Sequence, residues 1–148
     1  MTSVRRLRGA RGVLAALVCL GALSACGDDL NASTNPVEVE VGKAFEWNSY
    51  VVEDGWKLTP IKRSAGAEEV TAPEVKGAIT NKSDEERTAL FEMVFSADGE
   101  PLATLNCSAG KMKTDQSMQF VCPGLSATMP EDYDAVVVQE FSRDTTSG

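Results

Sequence analysis

Three features of this chain predict an all-β fold, an antiparallel immunoglobulin-like sandwich of about seven strands. Apolar and polar residues alternate with period two from Val37 onward. Turn residues such as Asp54-Gly55, Asp98-Gly99 and Pro123-Gly124 punctuate that alternation. No stretch carries an apolar helical face longer than two turns, and the strand candidates are loaded with β-branched and aromatic residues. A small closed barrel is the alternative architecture.

The elements follow in order. Val37, Val39 and Val41 alternate with Glu38 and Glu40, Phe45 and Trp47 follow, and Tyr50 shares a face with Val52. Asp54-Gly55 is either a hairpin turn or a bulge, after which Trp56 and Leu58 continue the alternation. Lys62 to Pro73 is expected to be a polar loop. A strand over Glu74–Thr80 ends at Asn81, and Lys82–Arg87 forms a charged turn. Thr88–Ser96 is apolar at most positions and is expected to be central. Ala97–Glu100 turns the chain into a return strand over Leu102–Cys107. A loop over Gly110–Gln116 leads to the alternating Met118, Phe120 and Cys122. Tyr133–Phe141 closes the domain, which spans residues 37–141, and 142–148 is expected to be a disordered tail.

The N-terminus carries a different pattern. Arg5, Arg6, Arg8 and Arg11 precede an apolar run from Val13 to Leu23, then small residues and a cysteine in Leu23-Ser24-Ala25-Cys26. That order is a secretory signal, and the apolar run is too short to span a hydrocarbon core that needs about 20 residues. The four residues resemble the lipobox of bacterial lipoproteins. The resemblance implies a signal peptide over 1–25, a lipidated Cys26 and a cell-membrane location on the extracytoplasmic face. More than one acyl chain would be needed there, because a single chain holds a protein only marginally. Residues 26–36, small and polar, are expected to form a flexible tether.

Removing residues 1–25 leaves 123 of the 148, enough for one domain with a core and too few for two. It also removes four of the 14 cations, so the charge moves from −8 to about −12. Such an acidic balance argues against nucleic acid as a partner. Histidine is absent, which removes the commonest general base and the commonest zinc ligand. With Cys19 in the signal and Cys26 acylated, Cys107 and Cys122 remain, and in an oxidising compartment they are expected to form one disulfide. Loop closure over that spacing is worth about 3 kcal/mol. A redox pair would favour C-x-x-C spacing, which these two do not have.

The middle of the chain resembles an FxLYD-type domain, an immunoglobulin-like module frequent in bacterial lipoproteins, including actinobacterial ones. The matching residues are Val75-Lys76-Gly77-Ala78-Ile79-Thr80-Asn81-Lys82-Ser83 and Phe91-Glu92-Met93-Val94-Phe95-Ser96-Ala97-Asp98-Gly99. The similarity extends over about residues 37–141. It implies a fold and an envelope location, and brings no catalytic residues with it. Where the family has Pro-Gly before the second cysteine strand, this chain has Thr114-Asp115.

Other residues are candidate sites. Asp98 and Glu100, with Glu131, Asp132 and Asp134, are the densest acids, but neither run has an ordered calcium-loop pattern, so no metal site is expected. Trp47, Tyr50 and Trp56 are either core or an aromatic surface for sugars or peptidoglycan, with core favoured by their phase. No serine has a histidine to activate it, no cofactor motif is present, and no enzyme is expected. The functional expectation is a membrane-anchored, non-enzymatic lipoprotein that binds a protein or cell-envelope component. The alternative is a small-ligand or ion-binding lipoprotein serving a transporter.

The lipobox generates a direct prediction. Cys26→Ser should move the protein from the membrane fraction to a soluble or unprocessed form, and unchanged membrane retention would refute the anchor.

Overall fold

A computed structural model describes residues 30–124 and 128–141, so the signal at 1–25, Cys26 and the tail at 142–148 lie outside the described residues. The described chain is all-β, a single antiparallel sheet of nine strands. These are β1 (Val37–Val39), β2 (Phe45–Trp47), β3 (Tyr50–Val52), β4 (Lys57–Ala65), β5 (Glu68–Asn81), β6 (Arg87–Ala97), β7 (Glu100–Met112), β8 (Ser117–Pro123) and β9 (Ala135–Gln139). Their order is β1-β9-β6-β7-β8-β5-β3-β2, with β4 paired to β5. The strands at the two ends of that path, β1 and β2, are consecutive in sequence and joined only by Glu40–Ala44. Such a short connection brings the edges together and curls the sheet into a nearly closed, barrel-like sandwich.

Nine strands replace the expected seven because three of them are only three residues long. Two-residue hairpins set the register at three places. Trp47 pairs with Tyr50 across Asn48 (φ 50°) and Ser49 (φ 61°), a left-handed pair that matches the twist of the flanking strands. Ala97 pairs with Glu100 across Asp98 (φ 51°) and Gly99 (φ 79°). Ala65 pairs with Glu68 across Gly66 (φ 71°).

That third hairpin corrects an expectation: Lys62–Pro73 is not a loop. It is the outer part of β4 and β5, paired from Lys57↔Lys76 out to Ala65↔Glu68. Beyond Ala72 this two-stranded arm is largely solvated, so its residues are mostly polar, with Val70 exposed, and carry no apolar alternation. Asp54-Gly55 is not a hairpin turn either. β3 and β4 lie end to end along the same edge of β5, and Glu53 N donates to Ala78 O between them. The pair therefore interrupts one strand line, as a bulge does. β7 also runs further than expected, so the loop before β8 shrinks to Lys113–Gln116, where Asp115 takes φ 59° in place of a glycine.

The core fills the barrel. Trp56, Phe91, Phe95, Phe120, Met93 and Leu105 are buried almost completely, and rings stack between strands, Trp47 on Phe91 at 6.0 Å and Phe91 on Phe120 at 5.6 Å. Gly77 sits where any side chain would collide, since a Cβ there would lie 2.6 Å from Trp56 Cβ and 2.7 Å from Phe120 Cε1. Omitting that atom lets the indole and the phenyl ring pack directly over β5.

Asn81, at the end of β5, is fully buried and bonded on every side. Its Nδ2 donates to Glu85 O (2.7 Å) and Met112 O (3.0 Å), while Oδ1 accepts from Ser83 N (3.1 Å) and Ser83 Oγ (2.7 Å). Asn81→Ala would take the amide donor from the buried Met112 O, costly in a dry interior, and the acceptor from Ser83 N, while Glu85 O keeps the Ser83 hydroxyl. The expected loss is about 3 kcal/mol of unfolding free energy. Urea denaturation measures it, and a loss under about 1 kcal/mol would show that the turn holds without the amide.

Candidate functional site

The strands place distinct chemistry at the two ends of the barrel. One end collects the Asn48–Ser49 turn, the β5–β6 turn and the β7–β8 turn. They are tied together by Asp115 N→Asn81 O (2.7 Å), Lys82 N→Ser49 O (2.8 Å) and an Arg87 guanidinium that donates to Asn48 O and Oδ1, both at 3.0 Å. The opposite end carries the Asp98-Gly99 turn, the 128–134 connection and the projecting β4–β5 arm.

The residues expected to be tether help close the seam. Asn48 N donates to Ser33 O and Ser49 N to Asn31 O, while Trp47 Nε1 donates to Asn35 O. Asn31 adds its backbone N to Glu46 Oε2 and its side-chain amide to Glu46 O. Residues 31–35 thus form a strap across the β2–β3 hairpin that leads into β1, which pairs with β9 on the other side of the seam. The docked body begins at Asn31 rather than Val37. Nothing in a short polar run announces this, because its bonds are made by backbone groups and one asparagine.

The sequence-predicted residues fall as follows. Cys26 lies outside the described residues. Cys107 on β7 and Cys122 on β8 are both buried and at disulfide distance, with Cα atoms 4.0 Å apart. The Ser108↔Val121 register sets them directly opposite each other, so they clip neighbouring strands. Trp47, Tyr50 and Trp56 are all core, which removes the aromatic-surface alternative. Trp56 Nε1 donates to Lys43 O at 2.6 Å, so the indole satisfies its one polar atom internally. Asp98, Glu100, Glu131, Asp132 and Asp134 gather at the arm end, where Asp134 Oδ2 accepts from Asp98 N at 2.9 Å. Among the described residues, no group of three or more carboxylates or cysteines converges as a metal site would require.

Two depressions open on the surface. One, about 530 Å³, lies between Glu38–Val41 and Tyr133–Asp134. The other, about 720 Å³, runs past Trp47, Leu90, Asn106, Ser108, Pro123 and Phe141. Both are open grooves. The larger holds two of the exposed large apolar side chains, Leu90 and Phe141, and neither encloses a ligand as a specific small-molecule pocket does.

Among the described residues, Tyr50 is a perturbed group in the interior. Its ring lies under the Arg87 guanidinium, 4.9 Å from carbon to centroid, and its hydroxyl has no hydrogen-bond partner among the described residues. Burial pushes the phenol above its ordinary range, with Arg87 pulling weakly the other way. At the surface, a hydrogen bond and charge attraction from Lys111 hold Glu86 below its ordinary range, and raise Lys111 in turn.

Comparison with known protein families, curated proteins and solved structures finds no match to this chain.

Tyr50 supplies a prediction with a sign. A phenol whose folded pKa is raised keeps its full stabilisation below the unfolded value of about 10 and loses it as pH rises toward the folded value. Tyr50→Phe removes an unpaired hydroxyl and keeps the ring under Arg87. Its melting temperature at pH 7 should be no lower than the parent's, and its alkaline unfolding should move to higher pH. A clear drop at pH 7 would mean the hydroxyl has a partner.

Proposed function

We propose that this chain is a lipid-anchored extracytoplasmic lipoprotein of FxLYD-type plan, held in the cell membrane through Cys26, whose barrel binds a protein or cell-envelope partner without catalysing a reaction. The observation that carries the proposal is the order of basic segment, short apolar run and Leu23-Ser24-Ala25-Cys26, which provides an address and an attachment atom. The family plan is supported by β5 ending at Asn81, by an apolar β6 that follows it in sequence, and by the two-residue Asp98-Gly99 turn into β7. A pair of cysteines at disulfide distance suits an oxidising compartment.

Binding of a macromolecule is favoured over delivery of a small ligand by the shape of the molecule. The interior is occupied by side chains, and the depressions are open and shallow, which suits a surface-to-surface contact. The β4–β5 arm supplies a further contact element, since among the described residues the outer edge of β4 has no strand partner.

In-cell photo-cross-linking tests this. A photoreactive residue at Ala67, in the arm's turn, or at Leu90, in the larger groove, should capture the same discrete partner from the native membrane-anchored protein. Capture at neither position would overturn the binding role and turn attention to small ligands.

A further inference from the structure

The strap and the arm lie at opposite ends of the barrel, and this has a consequence for how an anchored molecule stands. The strap begins at Asn31, bonded to Ser49 in the β2–β3 turn. Only Gly27-Asp28-Asp29-Leu30 separates Asn31 from Cys26. Fully extended, that leash spans at most about 17 Å. β5 runs the whole length of the molecule, from Glu68 beside the arm's tip to Asn81 beside the strap. Its 14 residues span about 43 Å at the usual rise of a strand. A lipid on Cys26 therefore reaches the strap end and cannot reach the arm.

Charge agrees with length. At the strap end, cations and acids alternate and pair, with Lys82 Nζ on Asp115 at 2.8 Å and Lys111 Nζ on Glu86 at 2.7 Å. At the arm end, the segments 97–100 and 131–134 hold five carboxylates, while the arm itself carries Lys62, paired with Glu69, and Arg63. An anionic bilayer repels that end within about a Debye length, roughly 8 Å at physiological salt, and is indifferent to the other.

We infer that the bilayer surface is itself a partner of this barrel. The leash holds the turns at Asn48–Ser49, Ser83–Glu86 and Lys113–Gln116 against the phospholipid headgroups, and the β4–β5 arm points away from the membrane, with its tip as the most distal part. The inference rests on the proposed anchor at Cys26. It assigns the arm and the acidic end to contacts with molecules beyond the membrane, and withdraws the strap-end turns from them.

Depth-dependent quenching tests the arrangement. Protein carrying a clickable residue, Asp84→azidohomoalanine at the strap end or Ala67→azidohomoalanine at the arm, is labelled with a dye. It is placed in phosphatidylcholine–phosphatidylglycerol vesicles containing headgroup spin-labelled lipid. Intact mass first reports whether Cys26 carries a diacylglyceryl group, which tests the anchor alone. A sample without it is coupled through the Cys26 thiol to a maleimide lipid, Cys107 and Cys122 being buried and paired. The expected result is strong quenching at position 84 and little at 67, with the contrast lost when a long Gly-Ser segment is inserted between Gly27 and Asp28. Equal quenching at both sites, stronger quenching at 67, or a contrast that survives the insertion would each overturn the inference, whatever the mass shows.

Discussion

The arrangement of the strap end depends on the carboxamide of Asn81. This side chain donates to Met112 O and Glu85 O and accepts from Ser83 N, and it does so where three hairpin ends converge. Its own backbone continues the network, accepting from Asp115 N and donating to Gln116 O. In a dry interior each such bond is favourable mainly because the unpaired alternative is so costly. Asn81 therefore does more than end a strand. It holds the β5–β6 and β7–β8 turns in one place, and through Lys82 N on Ser49 O the β2–β3 turn joins them. The strap then has a fixed surface to bond.

Packing complements this polar knot. Gly77 lets Trp56 and Phe120 meet over β5, and Phe120 in turn contacts Phe91 on β6, which contacts Trp47 on β2. That line of rings crosses the barrel and joins strands far apart in the sheet order. A methyl group at Gly77 would push on the indole and the ring together, and overpacking of this kind typically costs about 1–3 kcal/mol. The cysteine pair acts at shorter range, since β7 and β8 are already neighbours. Its role is to hold their register near the middle of the sheet.

On the proposed reading, function on this frame divides along the barrel axis. The end where the turns bond to one another and Lys82 and Lys111 pair with Asp115 and Glu86 is the end nearest Cys26 in the chain. The opposite end combines uncompensated acids with a solvated two-stranded arm that contributes little to the core. Elements that bury little are free to vary in sequence and shape, and binding surfaces are commonly built from such elements on a rigid scaffold. A lipoprotein with this division would use one end for attachment and the other for contact.

Much was legible in the chain alone. The period-two alternation determined an all-β fold, since it places one face of each strand inward, and the phase of Trp47, Tyr50 and Trp56 with their apolar neighbours favoured the core, where the structure then placed them. The basic, apolar and small-residue order before Cys26 determined the proposed address, which needs no tertiary context. The arm, the strap and the continuity of β3 with β4 were settled only by tertiary structure. Lys62–Pro73 pairs through backbone groups while most of it is solvated, so no hydrophobic alternation marks it as strand. Residues 31–35 dock through main-chain donors and acceptors, which every residue type carries. Asp54-Gly55 becomes a bulge rather than a hairpin because β5 is long enough to pair with the strands on both sides of it, and the length of a distant partner is not written in the turn.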